Sequence, residues 1–115
     1  MKTLKLNIYE LIGNQNCVLE EDAIKVFTQL KNAIENNQRI VISFENATLI
    51  TTTFLNIAIG NLYGEFGEAK IQSCLNVENM KDEDKIKLKL VTTNAKAFYS
   101  NPQQFEESIR EILEG

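Results

Sequence analysis

The sequence has no histidine, one proline, two cysteines and five glycines among its 115 residues. Each shortage excludes something. Histidine is the side chain that most often moves protons near neutral pH, so an enzyme here would have to run on tuned carboxylates, a lysine or a cysteine. No spacing of those groups marks such a site. Glu45, Glu65 and Glu68 are the nearest candidates, and each reads more simply as a surface acid. We therefore expect a protein that is not an enzyme and has no catalytic residue.

Cys17 and Cys74 are far apart, and neither belongs to a CxxC pair. Two lone cysteines without histidine do not make a zinc shell, and no metal or other cofactor is expected. Both read as reduced, buried small hydrophobes. A basic stripe is also missing. The net charge is −4 and the pI about 4.9, and the one lysine cluster (Lys81, Lys85, Lys87, Lys89) is interleaved with Asp82, Glu83 and Asp84. A polyanion partner such as nucleic acid is thereby disfavoured.

Long hydrophobic runs are lacking too. The most apolar stretch, Leu49 to Tyr63, is interrupted by Thr51, Thr52, Thr53, Asn56, Gly60 and Asn61. It is too short and too polar to span a bilayer. Met1 to Lys5 is not followed by an apolar leader core. The expectation is a soluble, cytoplasmic protein with no membrane partner. The one proline, Pro102, sits at the start of the last predicted helix, so no proline-rich hinge divides the chain. No repeat or low-complexity segment occurs, and residues 1–115 read as one domain.

Against these absences stands an ordinary globular composition, 43% hydrophobic and 24% charged. Thr3 to Tyr9 alternates, with Leu4, Leu6 and Ile8 on one side, which predicts a half-buried strand. Gly13 to Asn16 reads as a turn, and Cys17-Val18-Leu19 as a short strand completing a hairpin. Glu20 to Asn36 predicts an amphipathic helix. Its stripe is Ile24, Phe27, Leu30 and Ile34, widened by Ala23, Val26 and Ala33, and acids fill its first turn. Arg39 to Phe44 reads as a central parallel strand covered on both faces. A polar loop, Glu45 to Thr48, leads through Leu49-Ile50 and three threonines to a second helix, about Phe54 to Tyr63, closed by Gly64 and Gly67. That helix is apolar on most sides, which predicts deep burial or cover by another protein. Ala69 to Leu75 reads as a strand, Val77 to Met80 as a linker and Lys81 to Thr93 as a helix, although Ile86-Lys87-Leu88-Lys89-Leu90 also alternates as a strand does. Asn101-Pro102 opens a last helix with a stripe of Phe105, Ile109, Ile112 and Leu113.

The segment from Arg39 to Leu55 resembles the central signature of STAS domains, and in particular the bacterial STAS-like family of unknown function. The strand is Ile40-Val41-Ile42, its end Ser43-Phe44, and the approach to the helix Ile50-Thr51-Thr52-Thr53-Phe54. The resemblance implies an α/β fold: a STAS-like mixed β-sheet of four or five strands with about four helices. The best-known STAS proteins are anti-sigma-factor antagonists, in which a Ser or Thr at the start of this helix is phosphorylated by a partner kinase. By position Thr52 takes that role, with Thr51 and Thr53 beside it in the candidate set. Ser43, Asn46, Thr48, Phe54 and Asn56 are then the implied partner contacts. The implied partner is a histidine-kinase-like ATPase or a serine/threonine kinase. This chain departs from the pattern in having Ser43 where an acid is expected and no Asp-Ser-Gly after the loop.

A phosphate at that helix start would add about −1.5 to −2 charges at neutral pH to a surface meant to dock. The simpler reading of a threonine just before a helix is an N-cap, worth about 0.5–2 kcal/mol. Two functions stay open at this point. One is a regulatory protein-binding module acting in signalling by partner switching. The alternative is a small-ligand or nucleotide-binding domain without a switch, although the chain offers no Gly-rich phosphate loop and Gly64-Glu65-Phe66-Gly67 does not supply one.

Overall fold

The computed structural model describes residues 3–100. The last predicted helix, with Asn101, Pro102, Phe105, Ile109, Ile112 and Leu113, lies outside the described residues. Along the chain run β1 (Thr3–Asn7), α1 (Ile8–Ile12), β2 (Asn16–Cys17), α2 (Glu20–Glu35) and β3 (Arg39–Ser43). Then come β4 (Leu49–Ile50), α3 (Thr52–Ala58), a 3-10 segment (Gly60–Gly64), α4 (Glu68–Cys74), β5 (Leu75–Glu78) and α5 (Asp82–Ser100).

β3 is central, as its Ile40-Val41-Ile42 run predicts. It pairs in parallel with β1 on one side and β5 on the other. The register brings Leu4, Ile40 and Leu75 into one row and Leu6, Ile42 and Val77 into the next. Ile40 and Ile42 have no exposed surface. The opposite face carries Lys5, Val41 and Asn76, and Lys5 reaches Glu78 across it at 3.7 Å. Among the described residues the sheet is thus covered on one face, not on both as the apolar run suggests. Val41 is half-buried and its row neighbours are exposed.

A second sheet pairs β2 with β4, again in parallel: Asn16 with Leu49 and Cys17 with Ile50. The α/β class holds; among the described residues two small parallel sheets of three and two strands, with five α-helices, stand where one mixed sheet of four or five strands was expected. The hairpin reading of Cys17-Val18-Leu19 fails for a local reason. Asn7 Oδ1 accepts a hydrogen bond from the Glu10 amide at 2.9 Å, which caps α1 where the strand was expected to continue. Gly13 then ends α1 at φ 70, a left-handed conformation that glycine adopts without strain. The chain leaves α1 in a direction that brings Cys17 beside Ile50 rather than back along β1.

α2 matches its prediction at both ends. Its C-terminus is a Schellman motif: the Asn37 amide donates to the Ile34 carbonyl at 3.0 Å and the Gln38 amide to Ala33 at 2.9 Å, with Asn37 at φ 55. Its buried face is Ala23, Val26, Leu30, Ala33 and Ile34. Ile24 lies off this face and is 49% exposed. Ala69 to Leu75 is the second correction. Residues 68–74 are helix α4, with Ile71 and Cys74 buried three positions apart, and the strand begins only at Leu75. Val77 and Glu78, expected in a linker, belong to that strand. α5 extends the predicted Lys81–Thr93 helix to Ser100 and seats Val91 and Ala95 against α3 and the 3-10 segment.

Candidate functional site

The threonine bend is built from four elements. β3 ends at Ser43, which is fully buried and whose Oγ accepts from Asn79 Nδ2 at 2.9 Å and from the Glu45 amide at 3.3 Å. The chain then turns through Phe44 to Ala47, closed by the Ala47 amide on the Phe44 carbonyl at 3.0 Å. Asn46 occupies the third position at φ 68, which asparagine tolerates better than most residues. Thr48 anchors the returning strand: its amide donates to the Gln15 carbonyl at 2.9 Å. From below, Lys87 of α5 donates to the Ile50 carbonyl at 3.0 Å and lies 3.4 Å from the buried Asp84 carboxylate. The last residue before the threonines is therefore held by both β2 and α5.

Thr51 is the N-cap of α3. Its Oγ1 accepts from the Phe54 amide at 3.1 Å and donates to the Cys17 carbonyl at 3.4 Å. Its own amide donates to that same carbonyl at 3.2 Å. Thr51 is half-buried, whereas Thr52 and Thr53 are exposed, and no hydrogen bond ties either of their hydroxyls among the described residues. Capping and surface display are thus divided between neighbours. Thr51 performs the first and leaves Thr52 and Thr53 open to solvent.

The implied partner contacts divide as well. Asn46, Thr48 and Asn56 are exposed. Ser43 at 0% and Phe54 at 1% exposure are interior residues. They are removed from the set of surface contacts, because Ser43 closes the strand end and Phe54 fills the core under α3. The helix predicted to Tyr63 ends at Ala58, and most of its apolar residues (Leu55, Ala58, Ile59, Leu62) are core, so its composition reflects burial.

Thr52, Thr53 and Asn56 open onto a groove of about 510 Å³ between α3 and α5. Its other wall is Leu90, Asn94, Phe98 and Tyr99, and Asn61 accepts from the Tyr99 hydroxyl at 3.3 Å. Among the described residues no charged side chain lines it. The periodicity of α5 could have shown this wall: Leu90, Asn94 and Phe98 recur every four residues.

The match that decides the family covers Asp22 to Lys85, from the first turn of α2 to the first turn of α5 and including the whole bend. The chain belongs to the STAS-like domain family of unknown function (DUF4325). No curated protein and no solved structure matches it.

The remaining chemistry of this STAS-like domain is quiet. Cys17 and Cys74 are free and buried. Burial pushes the Cys17 thiol up to about 11, helped by the negative charges of Asp22 and Asp84. A thiol kept protonated is a poor nucleophile. Of the three glutamates considered for catalysis, Glu65 pairs with Lys31 at 3.5 Å and Glu68 with Lys96 at 3.0 Å. The hydrogen bond to Glu68 raises the Lys96 pKa. Among the described residues no group of three or more histidine, cysteine, aspartate or glutamate side chains could hold a metal, and no helix is long and apolar enough to cross a membrane.

Proposed function

We propose that this STAS-like domain is a non-enzymatic regulatory module that docks to a protein through the start of α3, and that phosphorylation of Thr52 or Thr53 breaks the contact. One observation carries the reading. With Thr51 occupied as the cap, two adjacent hydroxyls stand exposed and unpartnered on a rigid mount. The mount is rigid because Cys17, Lys87 and the α3 backbone all hold it. A phosphate there changes surface charge without removing any hydrogen bond that the fold uses, so docking responds while the domain stays folded. The exposed contacts around it are Asn46, Thr48 and Asn56. The partner that fits is a kinase able to reach an exposed threonine, of the histidine-kinase-like ATPase or serine/threonine class.

Affinity capture in the native host tests this. Wild-type protein should retain a kinase-like partner that Thr52→Glu loses, while Thr51→Ser retains it. Equal capture by wild type and Thr52→Glu would contradict the reading.

The groove between α3 and α5 favours a second reading, a small-ligand site. Its lining among the described residues is neutral, with Thr52, Thr53, Asn56 and Asn94 beside Phe98 and Tyr99. That lining suits an uncharged hydrogen-bonding molecule better than a nucleotide, whose phosphates call for cationic groups or a Gly-rich loop. Saturation of a thermal shift by an uncharged ligand, absent in Asn94→Leu, would favour this reading over the first.

A further inference from the structure

Lys87 is held in a way that leaves part of it unused. A lysine ammonium has three N–H donors. One donates to the Ile50 carbonyl at 3.0 Å and a second to Asp84 Oδ1 at 3.4 Å. The third has no partner among the described residues. The Lys87 side chain is 37% exposed, so that donor keeps access to solvent. Asp84, three positions earlier on α5, is the reverse: its side chain is 5% exposed. Moving Lys87 away leaves that buried carboxylate without its cation, which is strongly unfavourable. A flexible side chain is thereby fixed in one place before any ligand arrives, and less entropy is lost when one does.

That place is beside the exposed threonines. Ile50 stands two residues before Thr52, so their Cα atoms are at most about 7 Å apart. Leu90 and Val91, three and four positions after Lys87, share its face of α5. Both line the groove onto which Thr52 and Thr53 open. Lys87 thus lies one turn before the α5 wall of that groove, at the end where α3 begins. Its neighbours do not replace it. Lys85 pairs with Asp82 at 3.7 Å. Lys89, two positions on, lies on a different face of the helix.

We propose that Lys87 is the receptor for a phosphate on Thr52: its third N–H donates to a phosphate oxygen while its bonds to Ile50 and Asp84 stay in place. This rests on the phosphothreonine reading above and adds what the domain itself does with the modification. A phosphate held by one fixed cation is oriented as well as charged, because charge-assisted hydrogen bonds are short and strong. Phosphorylation then resets the shape of the docking surface along with its potential, and no bond of the fold is broken.

Phosphothreonine installed at position 52 of the full chain by protein ligation tests this, read by a phosphorus NMR titration. The second ionisation of such a phosphate is ordinarily near pH 6. With Lys87 engaged it should lie about 0.5–1 unit lower, a modest shift because solvent reaches the pair. Lys87→Gln should return it to the ordinary value, Lys87→Arg should keep it low, and Lys89→Gln should leave it as in the wild type. Lys87→Gln alone strands the Asp84 carboxylate, so the double variant Asp84→Asn, Lys87→Gln is titrated beside it. The double variant keeps the net charge, and loss of the shift there reports the contact itself. The same titration in wild type, Lys87→Gln and the double variant would overturn the proposal. So would a shift that Lys89→Gln abolishes as fully as Lys87→Gln, which would mark a general charge effect. Because the phosphate is installed, the outcome is separate from whether cells add one. A flat comparison removes Lys87 and leaves the phosphothreonine reading standing, whereas absence of phosphate in native cells removes that reading and leaves the measured contact.

Discussion

The Thr51 hydroxyl lies 3.1 Å from the Phe54 amide and accepts its proton, and through the same oxygen it reaches the Cys17 carbonyl at 3.4 Å. One side chain thus closes the first turn of α3 and ties it to the second sheet. Thr51→Ala should lower the unfolding free energy by about 0.5–2 kcal/mol, and Thr51→Ser should recover most of it. Thr52→Ala and Thr53→Ala should each stay within about 0.5 kcal/mol of wild type, as exposed substitutions do. Urea unfolding of the four variants measures the difference. Equal losses at all three threonines would mean that the cap is not confined to Thr51.

Phe54 separates core from contact. Its ring is 1% exposed beneath α3. Phe54→Ala should cost about 3–5 kcal/mol of stability. Asn56→Ala, on the exposed side of the same helix, should leave stability near wild type. Thermal and urea unfolding read both. A fully stable Phe54→Ala would place the ring on the surface, against the burial observed.

Ser43 stands where the STAS signature has an acid, and its role here is structural. Its Oγ is the acceptor for both Asn79 Nδ2 and the Glu45 amide. Ser43→Ala leaves those donors without it and should cost about 1–3 kcal/mol. The loss should appear as a lower urea midpoint. A neutral Ser43→Ala would mean that solvent replaces the hydroxyl.

The Cys17 thiol gives a pH signature. Folded, it holds its proton to about 11, against the ordinary 9.0. Unfolded, it releases the proton near 9.0, so the unfolded state binds fewer protons between these values. Its contribution to stability is complete below pH 9.0 and declines as pH rises toward about 11. Wild type should lose stability more steeply than Cys17→Ala when unfolding is compared across that interval. Parallel slopes would show that the thiol titrates normally in the fold.

The segment 39–55 was the most legible part of the sequence. A β-branched run makes a central parallel strand, and a polar turn with three threonines makes a helix start, because both depend on local chemistry. The errors share one cause. Leu4, Leu6 and Ile8 alternate as a strand does, but Asn7 and Glu10 carry a capping signal that ends it. Ala69, Ile71 and Leu75 fall on one side of a two-residue repeat with Lys70 and Gln72 on the other, yet Ile71 and Cys74 are the pair that the fold buries. Short elements fit either period, and packing against β3, β5 and α2 decides between them. The hairpin failed similarly: nothing local in Cys17-Val18-Leu19 says that its partner is Leu49-Ile50. Of the implied contacts, the exposed ones are polar and the two interior ones sit at strand-end and core positions. That division needed the three-dimensional burial of Ser43 and Phe54.

Phosphosite mapping on the protein isolated from its native cells bears most directly on the division of labour among the three threonines. Phosphate should be found on Thr52 or Thr53 and be absent from Thr51, whose hydroxyl is engaged in the cap. Phosphate on Thr51, or on none of the three under any growth condition, would contradict the account.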